Sequence, residues 1–219
     1  YGKMVFLSGI GIRRTEMDMI VGLFPGILEF EVESRLKPLV DEFRDLGFCP
    51  SGIKNEILRN PWILGLENGE ASQWMETLRS VKCRAGIKDE ERLELSVVYG
   101  VKQRIDFLRK HGLMTMDALK VVWREPRVII NPLQDIENKV KFLIHEMNFD
   151  VQCLVEVPEI LGLNFEREIV PRFNVIEYLR LNGGLGDDVD LKKFVKLSRL
   201  KFYNMYVKPY PQCKKIYGK

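Results

Sequence analysis

The fold is decided by a four-residue string that returns along the chain: Pro25-Gly26-Ile27-Leu28, Pro61-Trp62-Ile63-Leu64, Pro126-Arg127-Val128-Ile129 and Pro158-Glu159-Ile160-Leu161. The prolines are 36, 65 and 32 residues apart, and the middle gap is close to two units. In three copies a glycine stands 14 residues before the proline, at Gly11, Gly47 and Gly112, and an apolar residue follows each. Gly86 stands the same distance before Gly100, which marks a degenerate unit without its proline. Such a period is the signature of a repeat array, in which a unit too small to hold a core of its own buries its face against the next.

Between these marks the apolar residues follow a helical period. An i, i+4, i+7 stripe recurs as Leu36/Val40/Phe43, Trp74/Leu78/Val81, Val101/Ile105/Leu108, Ile136/Val140/Leu143 and Ile169/Phe173/Ile176, one first helix for each. Gly47 and Gly112 fit left-handed C-caps, and Thr15, Ser51, Thr115 and Asp150 are the expected openers of second helices. The second helices carry the apolar pairs Met17/Val21, Ile53/Ile57 and Ala118/Val122 and stop at the proline, whose ring cannot continue the ladder. The short apolar tail after each proline is expected to tuck under the next unit. The predicted fold is an all-α superhelical solenoid of about six units, roughly residues 1–30, 31–66, 70–100, 101–131, 135–163 and 167–219.

A helix ending in Leu-Gly-Phe (46–48) or His-Gly-Leu (111–113), a second helix, and then Pro-x-Ile-Leu resembles the repeat of the mitochondrial transcription termination factor (mTERF) family. The segment Ser198-Arg199-Leu200-Lys201-Phe202-Tyr203-Asn204-Met205-Tyr206-Val207 is similar to the Ser…Phe…Tyr-Val stretch that closes many members. Three units depart from the pattern. The third lacks the proline and carries Lys88-Asp89-Glu90-Glu91-Arg92; the fifth has Asn148-Phe149 in place of the glycine and a shorter second helix; the sixth has Gly183-Gly184-Leu185-Gly186, read as a flexible hinge. The resemblance implies a plant-type organellar protein that binds nucleic acid in mitochondria, or alternatively chloroplasts, in transcription or its termination, intron splicing or ribosomal RNA maturation. The chain opens on Tyr1 without an initiator methionine and is read as part of a longer precursor.

With 219 residues, 46% hydrophobic and 30% charged, the chain can bury a core, and charges interrupt every apolar run before it reaches membrane-spanning length. Its net charge of +3 hides a strong local asymmetry. Residues 1–78 carry 8 basic and 12 acidic side chains, residues 79–127 carry 12 and 7, residues 128–191 carry 5 and 12, and residues 192–219 carry 9 and none. Phosphate backbones are bound by Lys and Arg aligned along a groove. Two groups are candidates: Lys102, Arg109, Lys110, Lys120, Arg124 and Arg127 in the middle, with Arg124 and Arg127 as candidates to reach bases, and Lys192, Lys193, Lys196, Arg199 and Lys201 near the end. The partner is double-stranded DNA or structured or single-stranded RNA. A protein-interaction scaffold with organellar protein partners, using the acidic stretch, is the competing reading.

Phe194, Phe202, Tyr203, Tyr206 and Tyr210 interleave with the terminal cations and would suit base stacking if exposed, but the i, i+4 pair Phe202/Tyr206 reads as a cap on the core. Trp62 and Trp123 at the repeat boundaries are likewise expected to pack. Nothing supplies an enzyme's constellation. The two histidines, His111 and His145, stand on different units and read as surface residues. The cysteines Cys49, Cys83, Cys153 and Cys213 form no C-x-x-C pair and read as reduced thiols. The glycine-rich 183–186 run lacks the Lys-Ser/Thr of a phosphate loop, and Asp187-Asp188-x-Asp190 lacks the rest of a calcium loop, reading instead as the cap of a helix beginning near Leu191. No cofactor or metal is implied.

Overall fold

A computed structural model of the chain describes residues 2–85, 94–185 and 189–218. Gly86, the 88–92 charge run, Gly186, Asp187 and Asp188 lie outside the described residues. Helices joined by turns, with no strand among the described residues, divide into two compact units, Tyr1–Gln103 and Arg104–Lys219. The first unit holds α1 (Gly2–Gly9), α2 (Arg14–Leu23), α3 (Lys37–Asp45), α4 (Pro50–Arg59), α5 (Glu70–Ala85) and the start of α6 (Leu95–Lys110). The second holds the rest of α6, then α7 (Thr115–Arg124), α8 (Arg127–Ile130), α9 (Leu133–His145), α10 (Cys153–Glu156), α11 (Val170–Leu181), α12 (Leu191–Lys196), α13 (Arg199–Phe202) and α14 (Pro211–Tyr217).

The turn between paired helices is built the same way in both units. Gly11, Gly47 and Gly112 take φ of 89°, 94° and 111°, a region that costs any residue with a Cβ. The next amide then reaches back to close the helix: Ile12 donates to the Leu7 carbonyl (3.0 Å), Phe48 to Phe43 (3.1 Å) and Leu113 to Leu108 (3.2 Å). Where glycine is missing, Asn148 adopts φ 55° and Phe149 donates to Leu143 at 3.0 Å, so the fifth turn survives on the side chain that best tolerates this conformation. Gly183, at φ 67°, is the same turn after α11, and Gly184 accepts a 2.9 Å bond from the Tyr210 hydroxyl. The expected hinge is therefore, through Gly184, a helix stop tied to the C-terminal segment.

The proline ends are equally regular. The preceding residues Phe24, Asn60, Glu125 and Val157 have φ between −143° and −123° and ψ between 60° and 83°, outside the helical region that a following proline disfavours. One 3₁₀ or α turn follows, and it buries Ile27, Ile63, Val128 and Ile160. The expected stripes form the core, save that Phe173 is half-buried and its neighbour Arg172 is buried in its place.

Other expectations fail locally. Thr115 is the first residue of α7, but Thr15 and Ser51 lie inside the first turns of α2 and α4, which begin at Arg14 and Pro50. In α2 the start is instead held by Glu16, which accepts from the Arg13 amide (2.7 Å) and guanidinium (2.8 Å). Asp190 does cap α12, accepting from the Lys193 amide at 2.5 Å. Gly100 does not end a helix but lies within α6, because no proline there breaks the ladder.

Candidate nucleic-acid interface

The middle basic group is largely engaged with the protein itself. In the first unit Lys102 donates to Glu70 at 2.8 Å. In the second, Arg109 pairs with Asp106 (3.4 Å) and Lys120 with Asp117 (2.9 Å) across exposed i, i+3 contacts. Arg124 donates to the carbonyls of Val155 (2.6 Å) and Glu156 (3.1 Å) and faces Glu159 at 3.5 Å. Arg127 forks onto Glu125, 3% exposed, with two 2.7 Å bonds, and donates to the Gly162 carbonyl at 3.0 Å. Its guanidinium lies where a Cβ on Gly162 would come within 2.3 Å, so a side chain there would displace the Arg127 fork. The Glu125 bond raises the pKa of Arg127. Arg124 and Arg127 thus hold the α7–α8 corner to the turn around Pro158. Only Lys110 in this group is exposed with no side-chain pairing among the described residues.

A second set of cations closes the post-proline turns, whose last carbonyls have no helical partner. Lys3 donates to Leu28 (2.6 Å), Arg35 to Gly65 (3.3 Å), Arg104 to Val128 (2.7 Å) and Asn131 (2.6 Å), and buried Lys139 to Leu161 (2.9 Å). Burial pushes the pKa of Arg104 down. The sequence reading missed these residues because they stand 22, 26, 22 and 19 residues before their prolines, too irregular a spacing to be noticed.

The terminal group differs. Lys192, Lys193, Lys196, Arg199 and Lys201 are all exposed, and no acidic side chain among the described residues pairs with any of them. Lys192, Lys193, Lys196 and Lys201 line one open hollow of about 440 Å³ together with Asp190 and Leu197. Asp190 is turned to its capping bond, and Ser198 caps the next helix by accepting from the Lys201 amide at 3.2 Å. Lys208, Lys214 and Lys215 add exposed charge beyond the hollow.

The aromatic residues of the tail pack as the Phe202/Tyr206 spacing leads one to expect, whereas the two tryptophans do not. Phe194, Phe202 and Tyr206 are buried, with Phe202 5.1 Å from Tyr206 and 5.7 Å from Tyr217, while Tyr203 and Tyr210 are half-buried. Trp62 and Trp123, expected to pack, are 47% and 43% exposed. Trp62 leans on Phe24 at 5.0 Å. His145 is exposed but His111 is half-buried against Phe107, and burial, then Lys110 and Lys141, lower its pKa. None of the four cysteines forms a disulfide among the described residues; burial raises the Cys153 thiol to about 12 and also raises Cys213. Among the described residues no three His, Cys, Asp or Glu side chains are placed to hold a metal ion, and no helix is long and apolar enough to cross a membrane.

Paired helices closed by proline turns and stacked through their apolar stripes define an all-α helical-repeat protein. The chain belongs to the mTERF family, whose sequence model matches residues 4–104 and again 91–203. It is 48% identical over 219 residues to the Arabidopsis thaliana protein "Transcription termination factor MTERF15, mitochondrial", covering 99% of this chain and 49% of that protein. It is 25% identical over 211 residues to "Transcription termination factor MTERF8, chloroplastic", also from Arabidopsis thaliana, covering 92% of this chain and 40% of that protein. The chain therefore spans about half or less of the length of these relatives.

Proposed function

We propose that this chain is a nucleic-acid-binding part of a mitochondrial regulator of gene expression, acting in transcription and its termination or in RNA processing such as intron splicing. Family membership and the names of the two relatives support this role, and the mitochondrial one is the more similar of the two. The single observation that carries the reading is the terminal hollow, where four lysines gather with no ion pair among the described residues and with its one lining carboxylate, Asp190, turned to the Lys193 amide. Phe194, Phe202 and Tyr206 beside it are buried, so the contact is chiefly to phosphates. Filter-binding titrations with duplex DNA and with single-stranded RNA across a salt series test it. Affinity falling steeply with salt is expected, because each neutralised phosphate contributes about 0.7–0.9 to the slope. Absent binding, or affinity flat with salt, overturns it.

A second reading, a scaffold for protein partners, is favoured by the α7 surface, where Met114, Met116 and Trp123 are exposed beside cations already engaged. Partners retained after nuclease and high salt by a chain carrying Lys192→Glu, Lys193→Glu and Lys196→Glu would support it.

A further inference from the structure

We propose that Arg172 is the positioning residue of the terminal lysine hollow, an inference that rests on reading that hollow as a polyanion contact. Arg172 sits on α11 and is 2% exposed, in a helix otherwise buried through Val175, Ile176 and Leu179. Its Nη1 donates to the Phe194 carbonyl at 2.9 Å, in the middle of α12. Its guanidinium carbon lies 5.3 Å from the centre of the Phe202 ring on α13, and its Nη2 is 3.6 Å from Glu168 one turn earlier. Nε has no hydrogen-bond partner among the described residues.

A six-residue helix and the short helical run Arg199–Val207, α13 continued by a π turn, have little stability of their own, since isolated helices this short are marginal. Their places are therefore set by what they dock on. Lys192, Lys193 and Lys196 flank Phe194, and Arg199 and Lys201 flank Phe202. One buried guanidinium thus anchors the backbone of the first lysine-bearing helix and the ring of the second, and so sets the spacing of the two halves of the hollow. A methyl-rich side chain would fill the same space but would not select one placement of the Phe194 carbonyl. The planar fork reaches a carbonyl, a carboxylate and a ring face at once, which an ammonium cannot do. Arg172 itself is too buried to touch a phosphate.

That inaccessibility makes the test discriminating. Arg172→Met and Arg172→Lys are compared with the parent chain and with Lys192→Gln/Lys193→Gln/Lys196→Gln by salt-dependent binding to the same RNA and DNA, and by amide hydrogen exchange. Arg172→Met is expected to lower the salt slope by about two to three, as the triple lysine change does, although it removes no exposed charge. It should add little when combined with that change, because both disrupt one site. Exchange should quicken over residues 190–207 while α9 keeps its protection, and Arg172→Lys should recover part of both effects. A parent-like salt slope and parent-like exchange over 190–207 in the Arg172 variants would overturn the assignment. If Arg172→Met unfolds globally, the same two readouts on Arg172→Lys decide the matter. Absence of binding by the parent chain sinks the polyanion reading, and the exchange pattern then still tests whether Arg172 holds the two helices.

Discussion

The two basic zones carry similar residue types and behave differently. Around α6 to α8, the arginines point back into the protein, where Arg104, Arg124 and Arg127 close carbonyls and a buried carboxylate that would otherwise lack partners. In the terminal zone the lysines point outward from two short helices whose backbones are held by Asp190, Ser198 and Arg172. Guanidinium groups, with several donors in a rigid fork, suit the first task, and flexible ammonium groups suit the second. Charge counted along a sequence therefore overstates what is available to a polyanion by the number of cations the architecture itself uses.

The largest expected effect separates the zones directly. Replacing Lys192, Lys193 and Lys196 with Gln should weaken nucleic-acid binding on the order of a hundred-fold at moderate salt with little change in thermal stability. Equal losses from Lys102, Arg109 and Lys120 changes would erase the distinction. Next, Arg127→Ala should leave the nearly buried Glu125 without its guanidinium partner, with only the bond from the residue-127 amide, and destabilise the second unit by about 1–3 kcal/mol, with the salt slope of binding unchanged. Denaturant titration and salt-dependent binding on one preparation measure both quantities.

Smaller effects probe the turns that make the zones possible. Gly112→Ala should cost about 1–2 kcal/mol because its φ of 111° is poorly tolerated with a Cβ, whereas Asn148→Gly should stabilise by about 0.5 kcal/mol. Melting curves of the two variants check the opposite signs. The smallest effect lies in the first unit. Hydrogen bonds from the Arg13 side chain, then its amide, hold Glu16 at about 2, below its ordinary 4.5. Its contribution is thus fully present above pH 4.5 and is lost as pH falls through 4.5 toward 2. An acid titration of Glu16→Gln should show a shallower decline in that window than the parent chain.

Much of the fold was legible because proline, glycine and apolar spacing act locally. Pro25, Pro61, Pro126 and Pro158 fix the residue before them, and Gly11, Gly47 and Gly112 supply a left-handed turn whatever surrounds them. The helix starts were less legible, since Thr15 and Glu16 both suit a first turn and only the geometry shows that Glu16 does the capping. Trp62 and Trp123 were misjudged because an aromatic residue beside a turn is compatible with either burial or exposure, and the neighbouring unit decides. The terminal lysine cluster was visible from charge alone; the bond of Arg172 to the Phe194 carbonyl was not, because a lone arginine in an apolar helix carries no local mark.

By itself, then, the sequence determined the repeat, the helical period, the turns and the existence of a terminal basic zone, all of which follow from short-range sterics and composition. Tertiary structure alone decided which cations face inward. That choice depends on where unpaired carbonyls and carboxylates fall after units stack, at separations such as the 35 residues between Arg127 and Gly162 or the 22 between Arg172 and Phe194. Hydrogen-bond satisfaction is settled in space, and no reading of neighbours along the chain reveals it.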